Sequence, residues 1–250
     1  MRGHRINRVS ERVAAVFCIG AISNSYAVAS DEGAYLVDTG IDTTGRAMLE
    51  GLKAVERSPD DLTAIYLTHW HNDHTAGAAA LRELTGARVW YPESEKEHFN
   101  QTAVRGLRAW LSLHMPEAGP FGLIKGILGA CPPRAVTADG FPEDEMELPH
   151  GVIALHTPGH SSGHFSYWDP NARALFTGDA LAVCGGKLSF MSRFLTDDIP
   201  TALRSTRRLM DLDAELICPG HRVPLCDGVA EERQRMREFL DGGGTWPLWS

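Results

Sequence analysis

Three imidazoles and a carboxylate crowd into residues 69–74 of the stretch Thr68-His69-Trp70-His71-Asn72-Asp73-His74. Packing does not call for this, because His and Asp are costly to bury without partners. A metal centre does call for it. Neutral imidazole nitrogen and carboxylate oxygen are the ligands that zinc and similar divalent ions accept, at about 2.0–2.2 Å. Asp73 alone has a simpler reading as a helix N-cap, but the density and order of the H-x-H-x-D-H pattern favour the metal. Leu62 to Leu67 reads as a short apolar strand and Thr75 to Leu84 as an Ala/Leu-rich helix, so the cluster sits on a strand-to-helix turn. On the extended part, His69 and His71 share a side. Asp73 and His74 open the helix and aim at a neighbouring point. Four such groups suit two adjacent metal positions, and two metals need further ligands from elsewhere.

Three later segments share one grammar of apolar strand, small residues and a ligand type: Thr157-Pro158-Gly159-His160, Thr177-Gly178-Asp179 and Pro219-Gly220-His221. Glycine allows the tight turn that faces the following side chain inward. Each segment is weak alone; together with the opening cluster, in this order, they are strong.

The elements that must position these residues follow from hydrophobic periodicity and breakers. Strands are expected at Val13–Ile19, Ser25–Ala29, Ala34–Val37, Leu62–Leu67, Ala87–Tyr91, Val152–His156, Phe165–Trp168, Ala174–Thr177 and Glu215–Cys218. The Asp169-Pro170-Asn171 turn makes a hairpin of Phe165–Trp168 and Ala174–Thr177. Helices are expected over Thr43–Arg57, over Thr75–Leu84 with Gly86 as its C′ residue, from Asp198 to Leu212, and over Val229–Leu240 before Gly242. Ser94-Glu95-Lys96-Glu97 reads as a capping box opening a helix through Phe99, Val104, Leu107, Trp110 and Leu111. Two stretches echo each other: strand, Asp38, helix, strand, His69; and strand, Asp179, helix, strand, His221. Two such halves would stack their sheets face to face with helices outside, an α+β, four-layer αββα sandwich with the metal site at one edge. The expectation is a single domain over 1–250, with an irregular helical and apolar insertion around 92–149. Within it, the glycine-broken run Phe121–Ala130 reads equally as core or as an apolar lid or homodimer contact.

Composition bounds the rest. A 250-residue chain with net charge −8 and pI about 5.7 has no electrostatic footprint for nucleic acid. Five cysteines without a CxxC indicate neither a disulfide framework nor a zinc knuckle, and buried thiols in a reducing, cytoplasmic setting are expected. Arg2, Arg5, Arg8 and Arg12 ahead of Val13–Ile22, with Ala27-Val28-Ala29 behind, outline a secretory signal. Strands are the preferred reading, because Asn24, Ser25 and Tyr26 interrupt the apolar run and Ser10 and Glu11 the basic one. No run reaches the ~18 apolar residues of a membrane span.

With these motifs the chain resembles the metallo-β-lactamase-fold hydrolases, and more closely their glyoxalase II-like and lactonase-like branch, over roughly Tyr26 to His221. The resemblance implies that His69, His71 and His160 hold one metal and Asp73, His74 and His221 a second, with Asp179 bridging. Asp38 becomes the strand-end carboxylate that orients a ligand. The implied cofactors are two divalent ions, zinc first, with iron or manganese as alternatives. The implied reaction is hydrolysis of an ester, thioester or lactone by a metal-bridging hydroxide, since coordination brings the pKa of water to about 7. Asp73 could relay a proton. The partner is a small-molecule substrate, with Phe121–Ala130 favouring a lipophilic acyl compound. Several departures narrow the branch. β-Lactamases of this fold lack the bridging carboxylate of Asp179. Glyoxalase II carries a long C-terminal helical region that residues 222–250 are too few to supply. Many acyl-homoserine lactonases place Tyr where this chain has Ala182. Two alternatives stand beside hydrolysis: a mononuclear iron dioxygenase of persulfides, which keeps the same seven positions, and a non-catalytic ligand-binding regulator. Trp70 could line a pocket or pack. His164 could support a ligand, face substrate, or be an ordinary hydrogen-bonded histidine. Cys184 and Cys218 read as small buried hydrophobes. His4, His98, His114, His150 and His156 have no motif context.

Overall fold

The computed structural model describes residues 3–18, 23–100 and 134–246. The chain divides into two compact units, Met1–Pro142 and Glu143–Ser250. The first unit carries a six-stranded sheet in the order β1 (His4–Arg8), β2 (Val13–Cys18), β3 (Ser23–Ser30), β4 (Gly33–Val37), β5 (Leu62–Tyr66), β6 (Arg88–Trp90). The first four strands are an antiparallel meander. β4, β5 and β6 are parallel, and each parallel step needs a helical crossover. Helix α1 (Arg46–Ala54) supplies the first. The short α2 (Asn72–Thr75) and α3 (Ala78–Thr85) supply the second. Met48 and Leu52 of α1 and Leu81 of α3 are buried with Val16, Leu36, Ile65 and Val89 in one core.

The second unit carries a five-stranded sheet: β13 (Leu216–Pro219), β10 (Ala174–Gly178), β9 (Phe165–Asp169), β8 (Val152–His156), β7 (Glu147–Leu148). The hairpin between β11 (Ala182–Cys184) and β12 (Lys187–Ser189) stands apart from it. The β9–β10 pairing is the expected hairpin, and Asp169 accepts from Asn171 N and Ala172 N to close its turn. α5 (Ile199–Met210) crosses from β10 to the parallel β13. Its N-cap Asp198 accepts from Thr201 N, as the Asp-x-Pro start suggests. α6 (Val229–Asp241) ends at Gly242. Leu175, Ile217, Leu209, Met236 and Trp246 are among the buried residues of this second core.

The echo seen in the sequence is a topological one. In each unit a strand ending in Asp, β4 or β10, is antiparallel to its predecessor and parallel to the strand after the crossover helix. The N-terminal segment expected to pair as strands does so in β2 and β3. β1 was not anticipated: its Arg, Asn and His residues hide it, and such polarity suits an edge strand.

Other expectations need correction. The helix expected over Thr75–Leu84 starts earlier, at Asn72, and is broken at Ala76–Gly77. Ser94 caps nothing: a 3-10 turn over Glu93–Glu95 precedes α4 (Lys96–Phe99), and neither start has a side-chain cap. The reciprocal box forms instead at Ser58 and Asp61. The continuation of α4 through Val104 to Leu111, and the Phe121–Ala130 run, lie outside the described residues. Within 92–149, Phe99 stacks on Tyr91 at 4.0 Å and Tyr91 Oη donates to Val136 O, joining that part to the first core. No disulfide forms among the described cysteines, and Cys226 is exposed rather than buried.

Candidate metal centre

In the first unit the ligand-type residues gather where β4 and β5 end. Asp38 follows β4 in a left-handed conformation, φ 59°, an uncommon choice for a residue with a Cβ. Its backbone N donates to Tyr66 O. Its carboxylate, buried, accepts from Thr68 N at 2.8 Å and from Thr68 Oγ1 at 2.9 Å. His74 Nδ1 lies 2.8 Å from Asp38 Oδ2. Burial pushes the Asp38 carboxyl upward, and His74 and Thr68 pull it back.

This network assigns the ring protons. Nδ1–H of His74 donates to the carboxylate. Thr68 spends its hydroxyl proton on Asp38, so it accepts from His69 Nδ1 at 2.9 Å. Both rings therefore keep the lone pair on Nε2, as a metal-binding histidine does when its other nitrogen is held by an acceptor. His69 Nε2 and His71 Nδ1 lie 2.9 Å apart, and His74 Nε2 is 3.7 Å from Asp73 Oδ2. Two ligands on one tetrahedral zinc sit about 3.3 Å apart for bonds near 2.05 Å. The donor set fits a divalent cation.

The backbone is fixed as firmly. His71 is the N-cap of α2, and Thr75 Oγ1 donates to its carbonyl at 2.9 Å. Thr39 N and Oγ1 both donate to His74 O. Ser23 Oγ donates to Asp73 O at 3.1 Å. Trp70, half-buried, packs on the core and stacks on His98 at 4.1 Å and 17°.

The second unit gathers His160, Asp179 and His221. Asp179 Oδ2 lies 3.4 Å from His160 Nε2 and 3.3 Å from His221 Nε2. One carboxylate oxygen between two imidazole nitrogens is again a donor set for a cation, with the spacing expected of shared ligands. Gly159 sets the entry to His160: its φ is 139°, and a Cβ there would fall 2.5 Å from Ala202 Cα. That close approach is what lets Gly159 O accept from Asp198 N at the start of α5.

Each unit thus brings together the sequence-expected residues it contains: Asp38, His69, His71, Asp73 and His74 in one, His160, Asp179 and His221 in the other. The motifs do not single out the supporting hydroxyls. Thr39, Thr68 and Thr157 each stand beside an Asp or His at a strand end and bond to the site's framework.

Residues 19–221 match the family model for the metallo-beta-lactamase superfamily. The chain belongs to this superfamily. That membership carries the α+β fold class expected from the motifs. A hydroxyacylglutathione hydrolase of Bartonella henselae is 30% identical over 172 residues, covering 67% of this chain and 52% of that protein. A beta-lactamase-like protein 2 homolog of Caenorhabditis elegans is 26% identical over 212 residues, 84% of this chain and 59% of that one. The chain therefore spans about half the length of the curated relatives it matches. The crystal structure of TTHA1623 in a di-iron-bound form is similar with TM-score 0.61 and 27% identity, over 84% of this chain and 93% of that one. The DIM-1 metallo-beta-lactamase, with TM-score 0.68 but 16% identity over 97% and 99% of the two chains, shares the fold alone. No helix among the described residues is long and apolar enough to cross a membrane.

Proposed function

We propose that the chain is a binuclear metal-dependent hydrolase of an ester, thioester or lactone, working in the cytoplasm as one metallo-β-lactamase-fold domain whose two compact units are its halves. The observation that carries this is the paired orientation of His69 and His74. Two buried rings have Nδ1 committed to the Asp38–Thr68 hub, which turns each Nε2 toward another ligand-type group, His71 Nδ1 for His69 and Asp73 Oδ2 for His74. A histidine that serves only packing has no use for such an arrangement. By the family pattern, His69, His71 and His160 hold one ion, Asp73, His74 and His221 the other, and Asp179 spans both. Zinc suits this donor set; iron and manganese share it. Such ions, when bound, supply a water activated near neutral pH and polarisation of a carbonyl.

The chain's own residues do the rest. Asp38 keeps His74 and, through Thr68, His69 in the tautomer that presents Nε2. Asp73 is held through its carbonyl by Ser23, and its carboxylate lies beside His74; in this reading it would relay a proton to the leaving group. No serine or cysteine nucleophile is needed, and burial pushes the Cys218 thiol well above its usual range. The relatives named as hydroxyacylglutathione hydrolases act on a thioester by name, which puts thioesters first among substrates. A panel of thioesters, esters and lactones of varied acyl length tests this. Turnover that chelation abolishes and zinc restores is expected. Blank hydrolysis by fully metallated protein favours a ligand-binding role, and oxygen uptake with a persulfide favours the iron dioxygenase.

A further inference from the structure

His164 lies between β8 and β9, is fully buried, and takes no part in the donor sets above. Its two ring nitrogens are bonded in opposite directions. Asp179 N–H donates to His164 Nε2 at 3.0 Å. Nε2 is therefore the bare nitrogen, and Nδ1 carries the proton. Nδ1 lies 2.9 Å from Thr157 Oγ1, which accepts it. The Thr157 hydroxyl then donates to Ser166 Oγ at 2.9 Å, and the Ser166 hydroxyl donates to Thr177 O at 3.3 Å. Only this direction gives every group in the relay a partner of the right kind. The relay starts at Asp179 and returns to Thr177 on the same strand end, tying β10 to the ends of β8 and β9.

We infer that His164 is a positioning residue for Asp179: its Nε2 holds the Asp179 amide and so fixes the carboxylate where His160 and His221 meet it. The inference rests on the metallohydrolase reading. The ring is buried, so it touches neither solvent nor substrate. Leucine would fill the same volume more cheaply, because a buried polar ring stabilises only when both nitrogens are satisfied. What the ring adds is an acceptor for one backbone amide whose residue carries the carboxylate. The neighbouring His160 ring stands nearly perpendicular at 6.1 Å.

Three variants separate positioning from packing. In His164→Gln the ε carbonyl reaches the Nε2 position and keeps the acceptor. In His164→Asn the amide reaches only the Nδ1 position. His164→Leu removes both. Cobalt(II) serves as the probe, read by its visible absorption spectrum and by competition with a chromogenic chelator, and urea unfolding of the metal-free proteins monitors the fold. The expected result is a loss of about 10–100-fold in affinity for cobalt(II) in the Asn and Leu variants, with a changed spectrum. The Gln variant recovers most of both, while metal-free Gln and Asn proteins unfold at similar urea concentrations. Should the Leu variant fail to fold, the Gln–Asn pair decides. Wild-type protein that binds two cobalt ions while the variants match it, or a Gln variant no better than Asn, overturns the inference alone. Wild-type protein that takes up no cobalt overturns the metallohydrolase reading and this inference with it.

Discussion

His74 Nδ1 donates to Asp38 Oδ2 at 2.8 Å, between two side chains that are both buried. The contact joins the end of β4 to α2 and sets which nitrogen of His74 is bare. Asp38→Asn keeps the size and the left-handed backbone, which Asn accepts, and removes the negative charge. Metal affinity is expected to fall about 10–100-fold with the far-UV circular dichroism unchanged, as measured by chelator competition. Wild-type affinity in this variant would contradict the hub.

Asp179 is the carboxylate that two imidazoles approach, and His71 offers the nitrogen 2.9 Å from His69 Nε2. Asp179→Ala and His71→Ala are each expected to abolish turnover and leave the fold largely intact, measured by hydrolysis rates beside thermal unfolding. Near-normal hydrolysis by Asp179→Ala with a single metal would rule out the two-ion account.

Gly159 has a φ closed to ordinary side chains and a neighbouring backbone where a Cβ would go. Gly159→Ala is expected to cost more than ~2 kcal/mol and to lower Tm by at least about 4 °C. An unchanged Tm would mean that α5 is not held against this turn.

Acid stability has a readable contributor in the second unit. Burial would raise the Asp144 carboxyl, but the Arg208 guanidinium and the His156 amide outweigh it and hold the pKa below the usual carboxylate range. A carboxylate depressed in the folded state stabilises above its unfolded pKa and loses that contribution as pH falls through the folded value. The pair is partly exposed, so solvent screens it and the effect is small. Wild type and Asp144→Asn should differ in urea midpoint at neutral pH and converge as pH falls below 3.8, the ordinary value. A gap that persists at low pH would show that Asp144 acts by some means other than its charge.

Much of the site was legible because ligand chemistry restricts residue type. Few roles other than metal binding ask for His-x-His-x-Asp-His followed by isolated His160, Asp179 and His221 at strand ends. Strands such as Val152–His156 were legible for a similar reason: an apolar run between turn signals has one economical use. The supporting hydroxyls were not. Thr68 and Ser166 owe their roles to partners brought near by the sheet, and nothing local distinguishes them from other strand threonines and serines. His164 stays open in the sequence between supporting a ligand, facing substrate and an ordinary role for the same reason, since what singles it out is the Asp179 amide it accepts. The Ser94 box failed because Ser-x-x-Glu is a local signal, and the chain turns first through a 3-10 segment. β1 stayed hidden because an edge strand of Arg, Asn and His carries no apolar alternation.

The central claim is that this chain holds two cations that make hydrolysis possible. Elemental analysis of purified protein, on the sample assayed with the thioester and ester panel, tests it most directly. The account predicts about two equivalents of zinc, or of iron or manganese in its place, with hydrolysis that disappears on chelation and returns with metal. A single iron with no hydrolysis, or full hydrolysis after every ion is removed, would contradict it.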